Sequence, residues 1–178
     1  MDLQDVLRRF SFDNICKVAF GKDPNLLDLG LPRSDFADAM DLACQLSSKR
    51  ARAMIGLEWK FKRALKLGSE KDLANAIHVV DEFAGEIIKR RSAEIGTLGA
   101  QFKPDLLSRF LLLTDEENFD HKHLRDIVVS FVLAGRDTTA AALTWFFWLI
   151  SSHPEGEETI LRELGEIKEG FLSYEDVK

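Results

Sequence analysis

A carboxylate and a hydroxyl stand side by side at Asp137 and Thr138, in a stretch from Ile127 to Ile150 whose other polar residues are Ser130, Arg136, Thr139 and Thr144. At 100° per residue, Phe131, Ala134, Gly135, Thr138, Ala142 and Trp145 share one broad helical face. Its middle is small, so something bulky and flat could lie close to the backbone. Thr138 can also turn its hydroxyl back to the Ala134 carbonyl. Such a bond competes with the backbone ladder and can bend the helix, opening a notch for water or a small ligand. Small residues serve close helix packing equally well, and spacing alone leaves both readings open.

Other chemistry-bearing residues are sparse. His121 and His123 are expected at the exposed start of a helix rather than at a metal, and His78 and His153 have no visible partners in the sequence. Cys16 and Cys44 have no zinc-type spacing and are expected to pack as small buried hydrophobes of a reducing compartment. No G-x-S-x-G, Walker A or dinucleotide-binding glycine pattern occurs.

The elements that must position Asp137 and Thr138 are helical throughout. The pattern predicts a first helix through Leu3, Val6, Leu7 and Phe10, continuing past a possible break at Ser11 to Val18. A loop spans Gly21 to Pro32, and Ser34 caps a helix running to about Ala53. Ser69 and Asp72 have capping-box spacing ahead of a stripe from Leu73 to Ile88, with Lys89, Arg90 and Arg91 suiting that helix's C-terminal end. Gly96 to Pro104 reads as a linker and Asp105 to Leu113 as a short helix. The longest helix spans about His121 to His153, with Pro154 stopping it, and another runs from Glu155 to about Lys168. Ser173 to Asp176 form a further capping pattern. With no period-two alternation, the expected fold class is all-α.

Composition bounds the partners. The 178 residues are 46% hydrophobic and 30% charged with a net charge of −6, which suits one globular domain and argues against nucleic acid. The opening residues lack the basic-then-apolar pattern of a signal peptide or anchor. Ile127–Ile150 is long enough to span a bilayer, but Arg136 and Asp137 at its centre favour a buried axial helix. Between Lys49 and Lys71 lie eight basic and two acidic residues, with Met54, Ile55, Leu57, Trp59 and Phe61 interleaved. That mixture suits either a membrane interface or a solvated face with ordinary core anchors.

Ala134-Gly135-Arg136-Asp137-Thr138-Thr139 resembles the A/G-G-x-D/E-T-T motif of the cytochrome P-450 I helix. Its context agrees: a long apolar helix, then Ser152-His153-Pro154-Glu155, then an amphipathic helix with Leu161, Arg162 and Glu163. Phe10 to Ile15 with Phe20-Gly21 resembles the family's E-helix region, and Leu31 to Ala37 the entry to helix F of plant fatty-acid ω-hydroxylases. The resemblance covers essentially the whole chain, residues 1–178, from about helix E to the start of J′.

The resemblance implies a haem-thiolate monooxygenase that hydroxylates fatty acids or related lipophilic substrates. Dioxygen and electrons from NADPH, delivered by a reductase at the endoplasmic reticulum membrane, would be consumed. It implies that Thr138 hydrogen-bonds dioxygen or its ordered water, that Asp137 relays protons, that Ala134 and Gly135 lie over the haem face, and that Phe131 borders the substrate. It makes residues 49–71 the F–G connection near the bilayer. The family's F-x-x-G-x-R-x-C-x-G loop and E-x-x-R helix do not occur in these 178 residues, and neither Cys16 nor Cys44 has the ligand cysteine's neighbours. The expectation is therefore a partial domain, inactive alone, with a truncated product or incomplete gene model as the alternative.

Overall fold

A computed structural model describes residues 2–28, 34–52, 56–65, 67–98, 105–113 and 121–166. They form seven helices: α1 (Leu3–Phe20), α2 (Asp35–Arg52), α3 (Gly56–Ala64), α4 (Ser69–Leu98), α5 (Leu106–Leu113), α6 (His121–Ser151) and α7 (Pro154–Glu166). No strand occurs among the described residues, so the all-α expectation holds.

α6 lies along α1, and α2 lies along α4; α4 and α6 join the two pairs, and α5 bridges α1 and α4. The common core is built from Phe12, Cys16 and Phe20 of α1, Phe36 and Met40 of α2, Val80, Ala84 and Ile87 of α4, Leu107 of α5, and Leu124, Val128 and Val132 of α6. Three rings knit it: Phe36 stacks on Phe83 at 4.0 Å between centroids, and Phe12 lies 5.2 Å from Phe36. Each buried large apolar side chain contributes about 1.5–3 kcal/mol relative to exposure, so this junction fixes where α6 sits.

Several helix ends differ from the sequence expectation. α1 is unbroken at Ser11, which is buried inside it. Asp2 caps it, and Gly21 ends it in the left-handed region at φ 62°, donating to the Cys16 and Lys17 carbonyls. Tight packing adds a second reason for glycine there: a Cβ would stand 2.7 Å from Asp105 Oδ2. The Asp13 carboxylate accepts from the backbone N–H groups of Leu26 at 2.9 Å and Leu27 at 2.7 Å, folding the following loop back onto α1.

Ser69 is the first residue of α4 rather than its cap, because Gly68 at φ 54° precedes it and its carbonyl accepts from Asp72. Lys89, Arg90 and Arg91 fall inside α4, which runs on through Gly96 to Leu98. Tertiary partners override the breaker signals. Arg91 pairs with Glu94 at 2.6 Å and with Asp105 at 2.6 Å, and donates to Ser108 Oγ at 3.1 Å. Asp105 in turn caps α5, accepting from the Ser108 N–H at 2.8 Å. Pro154 opens α7 after Ser152 and His153. The cap expected at Ser173 to Asp176 lies outside the described residues.

Candidate functional site

α6 divides lengthwise. Leu124, Val128, Val132, Arg136 and Ala140 are buried against the other helices. Ser130, Leu133, Ala134, Asp137, Thr138, Ala141, Ala142 and Trp145 are exposed. The face read from 100° spacing is therefore split by packing. Ala134, Thr138, Ala142 and Trp145 stay on the open strip, joined by Asp137. Phe131 is half-buried and packs on the core cluster. Gly135 receives α1, since a Cβ there would meet Ile15 Cγ1 at 2.7 Å and Cδ1 at 2.8 Å. The close-packing reading of the small residues is realised at Gly135, while Ala134 and Ala142 stay exposed on the adjacent side.

Thr138 donates its hydroxyl hydrogen to the Ala134 carbonyl, four residues back. Thr144 does the same to Ala140 at 2.7 Å. Asp137 is half-exposed, with Oδ1 3.8 Å from Arg136 Nε. Arg136 itself is buried, and its Nη1 lies 2.9 Å from Asp41 Oδ1 of α2. No local pattern in the sequence specifies this contact. Its one signal is general: an arginine in an otherwise apolar helix needs a carboxylate from somewhere.

Beside this cluster, an open groove of about 390 Å³ runs between α2, α4 and α6. Met40, Ala43, Cys44, Val129 and Leu133 are among its walls. Cys44 is exposed, not buried as expected, because it falls on the groove side of α2. Partial desolvation first, then the Asp137 and Asp41 carboxylates, push its thiol above the usual range, against the lowering by Arg136. Cys16 is fully buried, and burial, followed by the charge of Asp13, pushes its thiol up to about 12.

His121 and His123 are exposed in the first turn of α6, and no three metal-ligating side chains converge among the described residues. His78 pairs with Glu82 at 3.3 Å and His153 Nδ1 meets the Leu149 carbonyl at 2.8 Å, local partners invisible in the sequence.

A long helix seated on a second helix through a glycine, with alanines, a back-bonded threonine and an acid on its open side, corresponds to the I helix of one family. The Cytochrome P450 family model matches residues 1–178, and the chain belongs to that family. Among its relatives, Cytochrome P450 94C1 of Arabidopsis thaliana is 53% identical over 94% of this chain and 32% of its own length. Cytochrome P450 94A1 of Vicia sativa is 44% identical over 100% of this chain and 34% of its own. The chain thus spans about a third of the relatives it matches. The crystal structure of cytochrome P450DA heme domain superposes with a TM-score of 0.74 over 99% of this chain and 36% of that one. It is 20% identical and speaks for the fold.

Haem is the family's cofactor, and the open strip fits one wall of a pocket for it. Ala134, Ala141 and Ala142 are small and exposed, leaving room for a flat group, and Thr138 and Asp137 add a hydroxyl and a carboxylate beside it. The two cysteines do not fit the thiolate ligand. Cys16 points into the core as a protonated thiol, and Cys44 lies among carboxylates that disfavour its ionised form.

Proposed function

We propose that this chain is the oxygen-side core of a haem-dependent monooxygenase that hydroxylates fatty acids or related lipophilic molecules. Electrons would come from NADPH through a flavoprotein reductase, and the 178 residues alone do not turn over. The observation that carries the reading is the open strip of α6, where Ala134, Asp137 and Thr138 stand exposed together. Similarity to the 94C1 and 94A1 relatives, both cytochromes P450, supports the haem-dependent part of the reading.

Haem, when bound, would supply the activation of dioxygen, and Ala134, Ala141 and Ala142 would flank it. The chain's residues manage protons and water. Rotation about χ1 releases the Thr138 hydroxyl from the Ala134 carbonyl, and it can then hold a water in the strip. Asp137, in contact with solvent, returns a proton to that water or hydroxyl after each transfer. The apolar groove bordered by Met40, Ala43, Val129 and Leu133 takes an acyl chain up to the strip. Ala134 sets how closely a flat group approaches, while Gly135 serves the packing of α1.

A chimera tests this reading: the present 178 residues replace the matching segment of the Arabidopsis relative. With reductase, NADPH and a long-chain fatty acid it should release a hydroxylated acid detectable by mass spectrometry. A chimera that shows a thiolate-type Soret band in the reduced carbon monoxide complex yet hydroxylates no fatty acid would overturn the substrate class. The unfused chain mixed with haem should give no such band, and observing one would contradict its inactivity.

A further inference from the structure

Arg136 occupies the variable position of the Ala134–Thr139 motif, and its side chain is 5% exposed. A buried guanidinium needs compensating charge, since an unpaired one costs several kcal/mol. Two carboxylates approach it, one from α2 and one from its own helix: Asp41 Oδ1 at 2.9 Å from Nη1, and Asp137 Oδ1 at 3.8 Å from Nε. The Asp41 contact is close but off-axis, because Nη1 makes no hydrogen bond. Neither carboxylate therefore saturates the cation. From α1, Asp5, Arg8 and Arg9 border a small cavity of about 20 Å³ against Arg136, and Asp5 is committed to Arg9 at 3.1 Å. From α2, Cys44 also faces Asp41, Asp137 and Arg136.

We propose that Arg136 is the positioning residue of this site, its guanidinium shared between Asp41 and Asp137 so that the seating of α2 sets how the Asp137 carboxylate is held. The proposal rests on the reading of Asp137 as the proton-handling acid. With α2 seated, Asp41 draws the guanidinium and Asp137 stays turned to the open strip. With α2 raised, Asp41 withdraws, and the buried cation turns to Asp137, the carboxylate next to it in sequence. An ion pair then takes Asp137 out of proton traffic. Because α2 also walls the groove with Met40, Ala43 and Cys44, a lipophilic ligand wedged there acts on the same helix. Groove occupancy and proton supply are thereby coupled through one side chain.

The test is carbon NMR of the Asp137 carboxyl signal in the 178-residue chain, assigned by its loss in Asp137→Asn. Asp41→Asn, at a half-exposed position, should displace that signal, and the displacement should vanish in an Arg136→Met background. Arg136→Lys, which keeps the charge, should retain part of it and covers a Met variant that folds poorly. A signal unmoved by Asp41→Asn while the melting temperature falls would assign Arg136–Asp41 a purely structural role and overturn the proposal. So would a displacement that persists undiminished in Arg136→Met, since it would then act directly between the two carboxylates. Failure of the proton-relay reading shows elsewhere: an Asp137→Asn chimera with unimpaired product formation would remove that role and leave the NMR coupling intact.

Discussion

At Gly135 one missing methyl decides how close α1 comes to α6. A Cβ would overlap the branched Ile15 side chain, so Gly135→Ala should lower stability by about 1–3 kcal/mol in urea unfolding. Ile15→Ala should recover part of that loss in the double variant, and strict additivity would contradict the contact. Cys16 offers a second residue-scale test. Its thiol is raised to about 12 in the fold, so below the ordinary thiol value both folded and unfolded chains carry the proton. Above it the unfolded chain ionises first, and stability is lost as pH climbs from about 9 toward about 12. Cys16→Ala should flatten that alkaline slope, and an unchanged slope would contradict the burial.

At this scale the motif was legible, because Ala134 and Thr138 need only helical periodicity to share a side, and Asp137 joins them only once packing shows which side stays open. The separation of Gly135 and Phe131 from that side was not, because it depends on where α1 and the core lie. The Arg136–Asp41 pair joins residues on different helices, and no local pattern specifies such a partner.

Among elements, the junction of α1, α2 and α4 at Phe12, Phe36 and Phe83 carries the positioning of α6 indirectly. Phe36→Ala should cost about 3–5 kcal/mol, and a loss under 1 kcal/mol would show that the ring stack is dispensable. Helix existence and order were readable from apolar spacing. Helix ends were misread where a tertiary contact outweighs a local signal: Arg91 bridges to Asp105 and Ser108 and lets α4 continue past residues that look terminal.

The basic stretch around α3 is partly used internally. Arg50 pairs with Glu70 at 2.8 Å and covers the Trp59 ring at 4.8 Å. Lys60, Arg63, Leu65 and Leu67 remain exposed, a pairing of charge and apolar surface suited to an anionic lipid interface. The whole chain should therefore sediment with anionic vesicles at low salt, and Lys60→Glu with Arg63→Glu should reduce binding at least several-fold. Equal binding by the double variant would sink that role for α3.

Over the described residues, exposed apolar side chains recur on several helices and gather at the end of α6 and on α7. The C-terminal half of α6 exposes Trp145 and Trp148 at about 60%, with Phe146, Phe147 and Leu149 beside them and Leu161 and Leu164 on α7. α6 is also long and apolar enough to cross a membrane by length and hydropathy, yet Arg136 at its middle is tied to α2. Exposed large apolar side chains at this density favour association. The isolated chain should bind an apolar fluorescent dye and elute at a concentration-dependent size, and Trp145→Glu with Trp148→Glu should suppress both. The family was legible because its motif is local and its flanks agree; which helix faces stay exposed was not, because that belongs to the assembled helices.

Coupling efficiency in the chimera measures most directly whether Asp137 and Thr138 act as a proton-handling pair on the open strip. Thr138→Ala and Asp137→Asn should keep the thiolate-type Soret band and continue to consume NADPH. Hydroxylated product per NADPH should fall by roughly 10-fold or more, the scale of a lost proton-transfer group. Unchanged product per NADPH in both variants would contradict the account.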